Sequence, residues 1–337
     1  MSIVKTDHLS IGYAKGSNKT LVQCNLNLEL LRGEMVCLIG PNGSGKTTLL
    51  RTLAGLHKPL KGNVLIDDKN ISEFTQQEKA LQIALVLTDK VQIENATVRD
   101  IVTLGQHPYT HWLGGLTPEG REKVHEAIRM VHLEKKTNHH LNELSDGERQ
   151  RVMIAKALAQ DTPLIFLDEP TAHLDLPNRV EIMLLLHRLA HKTGKGIILS
   201  THELDLALQA ADRIWLMSES EGVTCGVPED LVIDGSFNRV FQSEAYYFNT
   251  ANGNFSMNYP LSKKISVSSS NNARLYWTLR ALARAGYSVE NEATTQIQIT
   301  ENGWEMESIS FSTIEDLLAA LTHWIFISFY FMLKRKN

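Results

Sequence analysis

The sequence predicts an α/β fold built on a buried parallel sheet, with a small α+β appendage behind it, and three observations carry the first part of that reading. The run Met35 to Gly40 (MVCLIG) is apolar and partly β-branched, as expected of a strand covered on both faces, and it feeds directly into a glycine-rich turn. From Lys46 to Leu56 (KTTLLRTLAGL), Leu49, Leu50 and Leu53 recur at helical spacing, so strand, loop and helix follow in order. Two more short apolar runs, Leu164 to Leu167 (LIFL) and Gly196 to Ser200 (GIILS), finish in polar residues. Those polar residues then sit at the carboxyl edge of the sheet, where α/β proteins bind ligands.

The remaining elements follow along the chain. Met1 to Gly12 reads as a short strand and lacks the basic start and apolar run of a secretion signal. Between the first two core strands, Thr97 to Gly105 and Thr117 to Leu133 read as helices, an insert that forms a helical lobe over about residues 97–160. Composition shifts after about Pro228, so residues 1–227 are expected as one domain, 228–247 as a linker and 248–322 as the α+β domain. Within the latter, Asn271 to Ala285 (NNARLYWTLRALARA) places Leu275, Leu279 and Leu282 on one helix face with Gly286 as terminator. Alternation in Thr295 to Thr300 (TQIQIT) and at Ile309 and Phe311 predicts strands, and Ser312 to Glu315 (STIE) has capping-box spacing before a last helix near Ile314 to Thr322.

The end of the chain is apolar from Leu317 to Leu333 and then basic at Lys334, Arg335 and Lys336. A run of about 17 residues that includes Thr322, His323 and Ser328 is at the short limit for a membrane span. With acidic Glu315 and Asp316 before it and the basic cluster after it, a cytosolic body would oppose the positive-inside tendency. Residues 323–337 are therefore expected to be an apolar and basic tail rather than a span.

Composition narrows the function classes. A length of 337 residues suggests about two domains, and 43% hydrophobic with 21% charged residues describes a folded globular chain. A net charge of -4 supplies no global attraction to nucleic acid or anionic lipid, so any partner is recognised locally. Cys24, Cys37 and Cys225 lie far apart without CxxC spacing, which argues against a zinc site or disulfide framework and for a reducing, cytoplasmic compartment.

The chemistry is concentrated in short motifs. Gly40, Pro41, Asn42, Gly43, Ser44, Gly45, Lys46, Thr47 and Thr48 (GPNGSGKTT) match the phosphate-loop pattern GxxxxGK[ST] with the strand before and the helix after that the pattern requires. Glycines let backbone amides wrap phosphates, the helix N-terminus adds a favourable dipole, Lys46 meets the β and γ-phosphates of ATP, and Thr47 is suited to ligate Mg²⁺. Asp168 and Glu169 close the second buried strand in LIFLDEP. One carboxylate at such a place can hold the water shell of Mg²⁺, and the next can face an attacking water as general base.

Leu144 to Arg151 (LSDGERQR) resembles the LSGGQ signature of ABC ATPases. With the phosphate loop, LIFLDEP, Ala172 to Asp175 (AHLD, resembling the D-loop) and Thr201-His202 (resembling the switch histidine), the motifs stand in family order over Ile3 to Met217, about two-thirds of the chain. The resemblance implies a phosphate-loop NTPase domain with a helical signature subdomain, ATP and Mg²⁺ as ligands, and Tyr13 stacked on adenine. It also implies that Ser145 and Gly147 contact the γ-phosphate of ATP held by a second copy, with Asp175 at the same interface and His202 holding the attacking water. A homodimer in the ATP-bound state follows, together with integral membrane permease subunits and, indirectly, a periplasmic or extracellular substrate-binding protein.

Two departures from the family pattern stand out. Asp146 replaces the first signature glycine and suits a helix N-terminus as a cap; where a Q-loop glutamine is usual, IALVLTDK offers Thr88 or Asp89 as the group near Mg²⁺. The segments TVRDIVTLGQHPY, LDEPTAHLDLPNR and STHELDLAL resemble the ATPases of iron-chelate, haem and vitamin B12 importers, which implies a peripheral position on the inner face of the cell membrane. ABC ATPases that act on nucleic acid or ribosomes are the alternative. A single phosphate loop, the lack of sustained heptads and the slightly acidic balance favour transport, with no nucleic acid as partner.

Overall fold

The computed structural model describes residues 1–15, 18–87, 95–110, 115–241, 243–250, 252–269 and 271–322. They form two compact units, one made of residues 1–242 with 248–255 and the other of 243–247 with the residues from 256 onward.

The first unit opens with β1 (Ser2–Lys15), β2 (Asn18–Leu26) and β3 (Glu29–Leu31), followed by β4 (Met35–Ile39), α1 (Lys46–Leu53), β5 (Lys61–Ile66) and β6 (Lys69–Asn70). An antiparallel sheet runs β2-β1-β5-β6, with β3 also on β1. The expected short strand at the N-terminus is thus a 14-residue one, long because it pairs with β2, β3 and β5 in turn.

Next come α2 (Gln76–Gln82), β7 (Ile83–Val86), α3 (Val98–Thr103), α4 (Pro118–Met130) and α5 (Asp146–Ala159), then β8 (Leu164–Asp168), α6 (Leu176–Thr193), β9 (Gly196–Ser200) and α7 (Leu204–Ala210). The unit continues with β10 (Arg213–Ser218), β11 (Gly222–Gly226), α8 (Pro228–Ile233) and α9 (Ser236–Phe241). The second sheet runs β11-β10-β4-β9-β8-β7, and the pairs from β10 through β7 are all parallel.

Period-two geometry explains why its strands are apolar at every position. Met35, Cys37 and Ile39 enter one core together with Ile165, Leu167, Ile197 and Leu199, while Val36 and Leu38 enter the other with Phe166 and Ile198. The first core holds α6 and the helical insert, and the second holds α1 and the antiparallel sheet.

In the insert, Thr97 and Thr117 cap α3 and α4 where the sequence placed the helix starts. The first helix ends at Thr103, and Leu104–Tyr109 tightens to a 3₁₀ turn. Pro108 has no N–H to donate there, and Gly105 lies so close to the Lys156 carbonyl that a Cβ would stand 2.2 Å from it. The expected linker is helical over much of its length. Phe237 of α9 is fully buried in the first core and stacks on Phe248 at 5.1 Å, so residues 228–241 pack as part of the first unit.

In the second unit, a sheet of Lys263–Ser269, Tyr287–Val289, Gln296–Ile299, Trp304–Met306 and Ile309–Phe311 carries the helix Asn272–Arg284. Asn271 caps that helix and Gly286, at φ +83°, follows its end as the sequence indicates. The last helix, 314–322, is capped one residue later than STIE suggests: Thr313 Oγ1 accepts from Asp316 N at 3.1 Å, because Asp316 rather than Glu315 faces it. The apolar tail, 323–337, lies outside the described residues. No helix among the described residues is long and apolar enough to cross a membrane.

Candidate functional site: a phosphate loop at the carboxyl edge of the sheet

The end of β4 turns into the phosphate loop because two glycines allow it. A Cβ on Gly40 would stand 2.5 Å from the Met217 carbonyl of β10, and Gly45 takes φ +101° with Val22 2.4 Å from where a Cβ would be. Gly45 is also the residue before α1, so Lys46, Thr47 and Thr48 occupy its first turn with their amides unpaired within the helix. Lys46 folds over the loop and donates from Nζ to the Gly40 carbonyl at 2.7 Å and the Pro41 carbonyl at 3.0 Å. Burial lowers the pKa of its ammonium, and the charges of Glu169 and Asp168 oppose that shift. Ser44 is 1% exposed, and its Oγ has no hydrogen-bond partner among the described residues. A buried hydroxyl without a partner is costly, and a phosphate oxygen in the loop would satisfy it.

The acidic pair arrives from β8, next but one to β4 across β9. Asp168 is the last residue of the strand and is 5% exposed. Its Oδ1 accepts from Thr47 Oγ1 at 3.2 Å and from Ser200 Oγ at 2.7 Å. Glu169 takes φ +51°, a left-handed conformation that a β-strand residue avoids and that turns its side chain out of the strand direction. Its amide donates to Ser200 Oγ at 2.9 Å, and its Oε1 lies 3.0 Å from His202 Nε2. Thr47, Asp168, Glu169, Ser200 and His202 therefore form one connected network at the strand ends.

A second set of sequence-expected residues gathers elsewhere. Ser145 caps α5 in a reciprocal box with Glu148, and Gly147 is buried so tightly on Asn178 that a Cβ would stand 2.4 Å from Asn178 Oδ1. Asn178 Nδ2 donates to Asp175 Oδ1 at 2.6 Å within the start of α6, which holds the amide against Gly147 of the signature helix. Asp146 does not cap the helix as expected. Ser145 holds that position, and Asp146 pairs with Arg149 at 3.1 Å in the first turn. The hydrogen bonds of Ser145 and Asp175 go to Glu148 and Asn178, and none among the described residues joins this set to the phosphate loop.

Tyr13, near the end of β1, is half exposed, with its hydroxyl on Thr48 Oγ1 and its ring edge-on to His57 at 6.0 Å. Thr88 and Asp89 lie outside the described residues.

Three participants have no role that the sequence motifs assign. Ser200 bridges Asp168 to the Glu169 amide, and its signals were the polar end of GIILS and the head of STHELDLAL. Gln23 donates from Nε2 to the carbonyls of Ser44 at 3.2 Å and Ser218 at 2.6 Å, bracing the loop from β2. Asn178 fills the place a side chain on residue 147 would need.

A parallel sheet whose carboxyl edge joins a phosphate loop, a strand-end carboxylate pair and a histidine defines a nucleotide-hydrolysing phosphate-loop ATPase. Residues 24–172 match the ABC transporter family, and residues 262–322 match the iron ABC transporter C-terminal domain. The uncharacterized ABC transporter ATP-binding protein MJ0873 of Methanocaldococcus jannaschii is 39% identical over 267 residues, 79% of this chain and 91% of that protein. The probable siderophore transport system ATP-binding protein YusV of Bacillus subtilis is 36% identical over 72% of this chain and 86% of its own length. Among solved structures, a dimeric post-hydrolysis state of the ATP-binding cassette MJ0796 bound to ADP and Pi superimposes with a TM-score of 0.58. It is 31% identical and covers 67% of this chain and 99% of that one. The chain belongs to the ATP-binding proteins of ABC transporters. It is the subunit that binds and hydrolyses ATP, as its motif order leads one to expect.

Proposed function

We propose that this ATPase energises import of an iron-siderophore complex through a membrane permease, and that it does so as a head-to-tail pair with two ATP molecules between the copies. The cargo reading rests on the C-terminal match to the iron-transporter domain and on the siderophore-system relative. The observation that carries the mechanism is the separation of two residue sets: Thr47, Asp168, Glu169 and His202 are linked by hydrogen bonds, whereas Ser145, Gly147 and Asp175 form their own cluster. A second copy supplies what one copy's loop lacks. The N-terminus of α5 offers unpaired amides, a ready anion site, to a γ-phosphate presented from across the interface.

In this reading the loop amides, Ser44 Oγ and Lys46 hold the phosphates, and Tyr13 packs on the adenine. Thr47 Oγ1 and, through water, Asp168 would hold Mg²⁺, which would supply positive charge to offset that of the phosphates. Glu169 takes a proton from the water that attacks the γ-phosphorus as the bond to the ADP oxygen breaks, and His202 keeps that carboxylate and water aligned. Ser200 is a positioning residue for both acids. The chain then sits on the inner face of the membrane, with a substrate-binding protein acting only through the permease.

Sizing of the Glu169→Gln protein with and without ATP tests the sandwich. A shift from monomer to dimer on ATP is expected, and an unchanged monomer at high protein concentration would overturn it. Ferric-siderophore uptake in cells that carry only the Glu169→Gln chain should cease if the cargo is right.

A further inference from the structure

Away from the nucleotide edge, one group among the described residues converges like a set of metal ligands: His187, His191 and Asp212. The histidines stand four residues apart on α6, so they share one face of the helix, and Asp212 immediately precedes β10. Their ligand atoms all lie within 4.8 Å of one another. Both imidazoles aim Nε2 at the same oxygen, Asp212 Oδ1, at 2.9 Å from His191 and 3.9 Å from His187. A hydrogen bond accounts for His191. It does not account for His187, whose nitrogen is too distant for one and converges all the same. The other carboxylate oxygen, Oδ2, accepts the Met35 N–H at 2.7 Å. That bond fixes the carboxylate and leaves Oδ1 for the histidines, the outer-shell support that metal ligands need.

We infer that His187, His191 and Asp212 bind one divalent ion of the zinc, cobalt and nickel class, clipping α6 to the start of β10. Two imidazoles and one carboxylate are a borderline donor set that suits these ions, whereas Mg²⁺ and Ca²⁺ call for oxygen ligands. Metal–ligand bonds of about 2.0 to 2.2 Å place tetrahedral ligand atoms about 3.3 to 3.5 Å apart. The separations of 2.9 and 3.9 Å bracket that value, so small rotamer shifts close the site. Side-chain exposures of 39% and 50% for the histidines and 27% for the aspartate give an ion access from solvent and a fourth position for water.

The site lies at the amino edge of the parallel strands, since Met35 begins β4 and the phosphate loop follows its far end. At about 3.3 Å per residue the strand separates the two by roughly 16 Å. The ion therefore acts on the stability of the ATPase core and takes no part in phosphate chemistry. Binding only the folded state, it raises stability by mass action.

The test uses the full chain without an affinity tag, titrated with zinc and with cobalt in the presence of Mg²⁺. One ion per chain, a rise in Tm and visible cobalt ligand-field bands are expected. His187→Gln and His191→Gln should each weaken binding by about tenfold or more and remove the Tm rise, while ATPase activity without added zinc stays at the parent level. X-ray absorption of the cobalt-loaded parent should show two imidazoles and a carboxylate oxygen, independent of how the variants fold. No saturable binding, or binding and stabilisation unchanged in both variants, would overturn the assignment.

Discussion

The two units handle buried polarity in opposite ways. In the second unit Thr278 is the only polar residue among the described ones to be fully buried, and both its contacts are met: Trp304 Nε1 donates to its Oγ1 at 2.8 Å, and that hydroxyl donates to the Arg274 carbonyl at 2.7 Å. Its core holds Ile265, Leu282, Ile297, Ile299 and Leu317, and among the described residues no charged side chain of that unit is buried. The first unit buries Ser44, Lys46, Thr48, Asp168 and Ser200 at one sheet edge, and every buried side-chain atom without a partner among the described residues belongs to that unit. Burying a polar group without a partner costs about 1 to 3 kcal/mol; among these atoms Ser44 Oγ lies in the phosphate loop, where a phosphate oxygen would pair with it, and those of Arg51, His57, His140 and Trp215 lie outside the loop. A fold that satisfies all its own polar groups is shaped for stability.

Substitutions can break or sharpen this contrast. The largest effect is expected at Glu169, where Glu169→Gln removes the base but leaves the loop, so ATP binding persists and turnover in the permease complex falls by about 10² to 10⁴-fold. Near-parental turnover would remove Glu169 from the chemistry. In the second unit Leu282→Ala should cost about 2 to 5 kcal/mol of that unit's own stability, read by urea denaturation, because Leu282 is fully buried. ATP hydrolysis should be spared. A parallel loss of ATPase activity would show that the two units are not energetically separate.

A smaller effect is expected for Lys46→Ala, which removes a charged donor worth about 1.5 to 3 kcal/mol and so weakens ATP affinity by roughly 10 to 100-fold in an equilibrium binding assay. Equal affinity would count against the phosphate-loop reading. Ser200→Ala leaves Asp168 and the Glu169 amide each without one partner, and about a tenfold loss in rate with little change in ATP affinity is expected. An equal loss of affinity would mean that Ser200 shapes the loop as a whole. The smallest effect is expected on ending the chain after Thr322, since every residue of the proposed machinery lies at or before His202. ATPase activity should be unchanged and solubility improved by removing apolar residues. Loss of membrane association with the permease present would instead make the tail an anchor.

Local pattern alone determined the strand, loop and helix around Lys46, the strand ends at Asp168 and Ser200, the helix starts at Thr97, Thr117 and Asn271, and the order of the motifs. Each of these is a short-range signal, an apolar period, a cap or a glycine at a turn, and short-range signals survive in one dimension. Tertiary structure alone decided that residues 228–241 belong to the first core, since Phe237 looks like any linker phenylalanine until Phe248 stacks on it. It also decided the cap at Ser145 in place of Asp146 and the bracing of the loop by Gln23. The Ser200 bridge joins strands 32 residues apart from Asp168, and the convergence of His187 and His191 on Asp212 spans a helix, a strand and a further helix. A hydrogen bond has no sequence period, so its partner is known only when the chain has brought the two groups within about 3 Å.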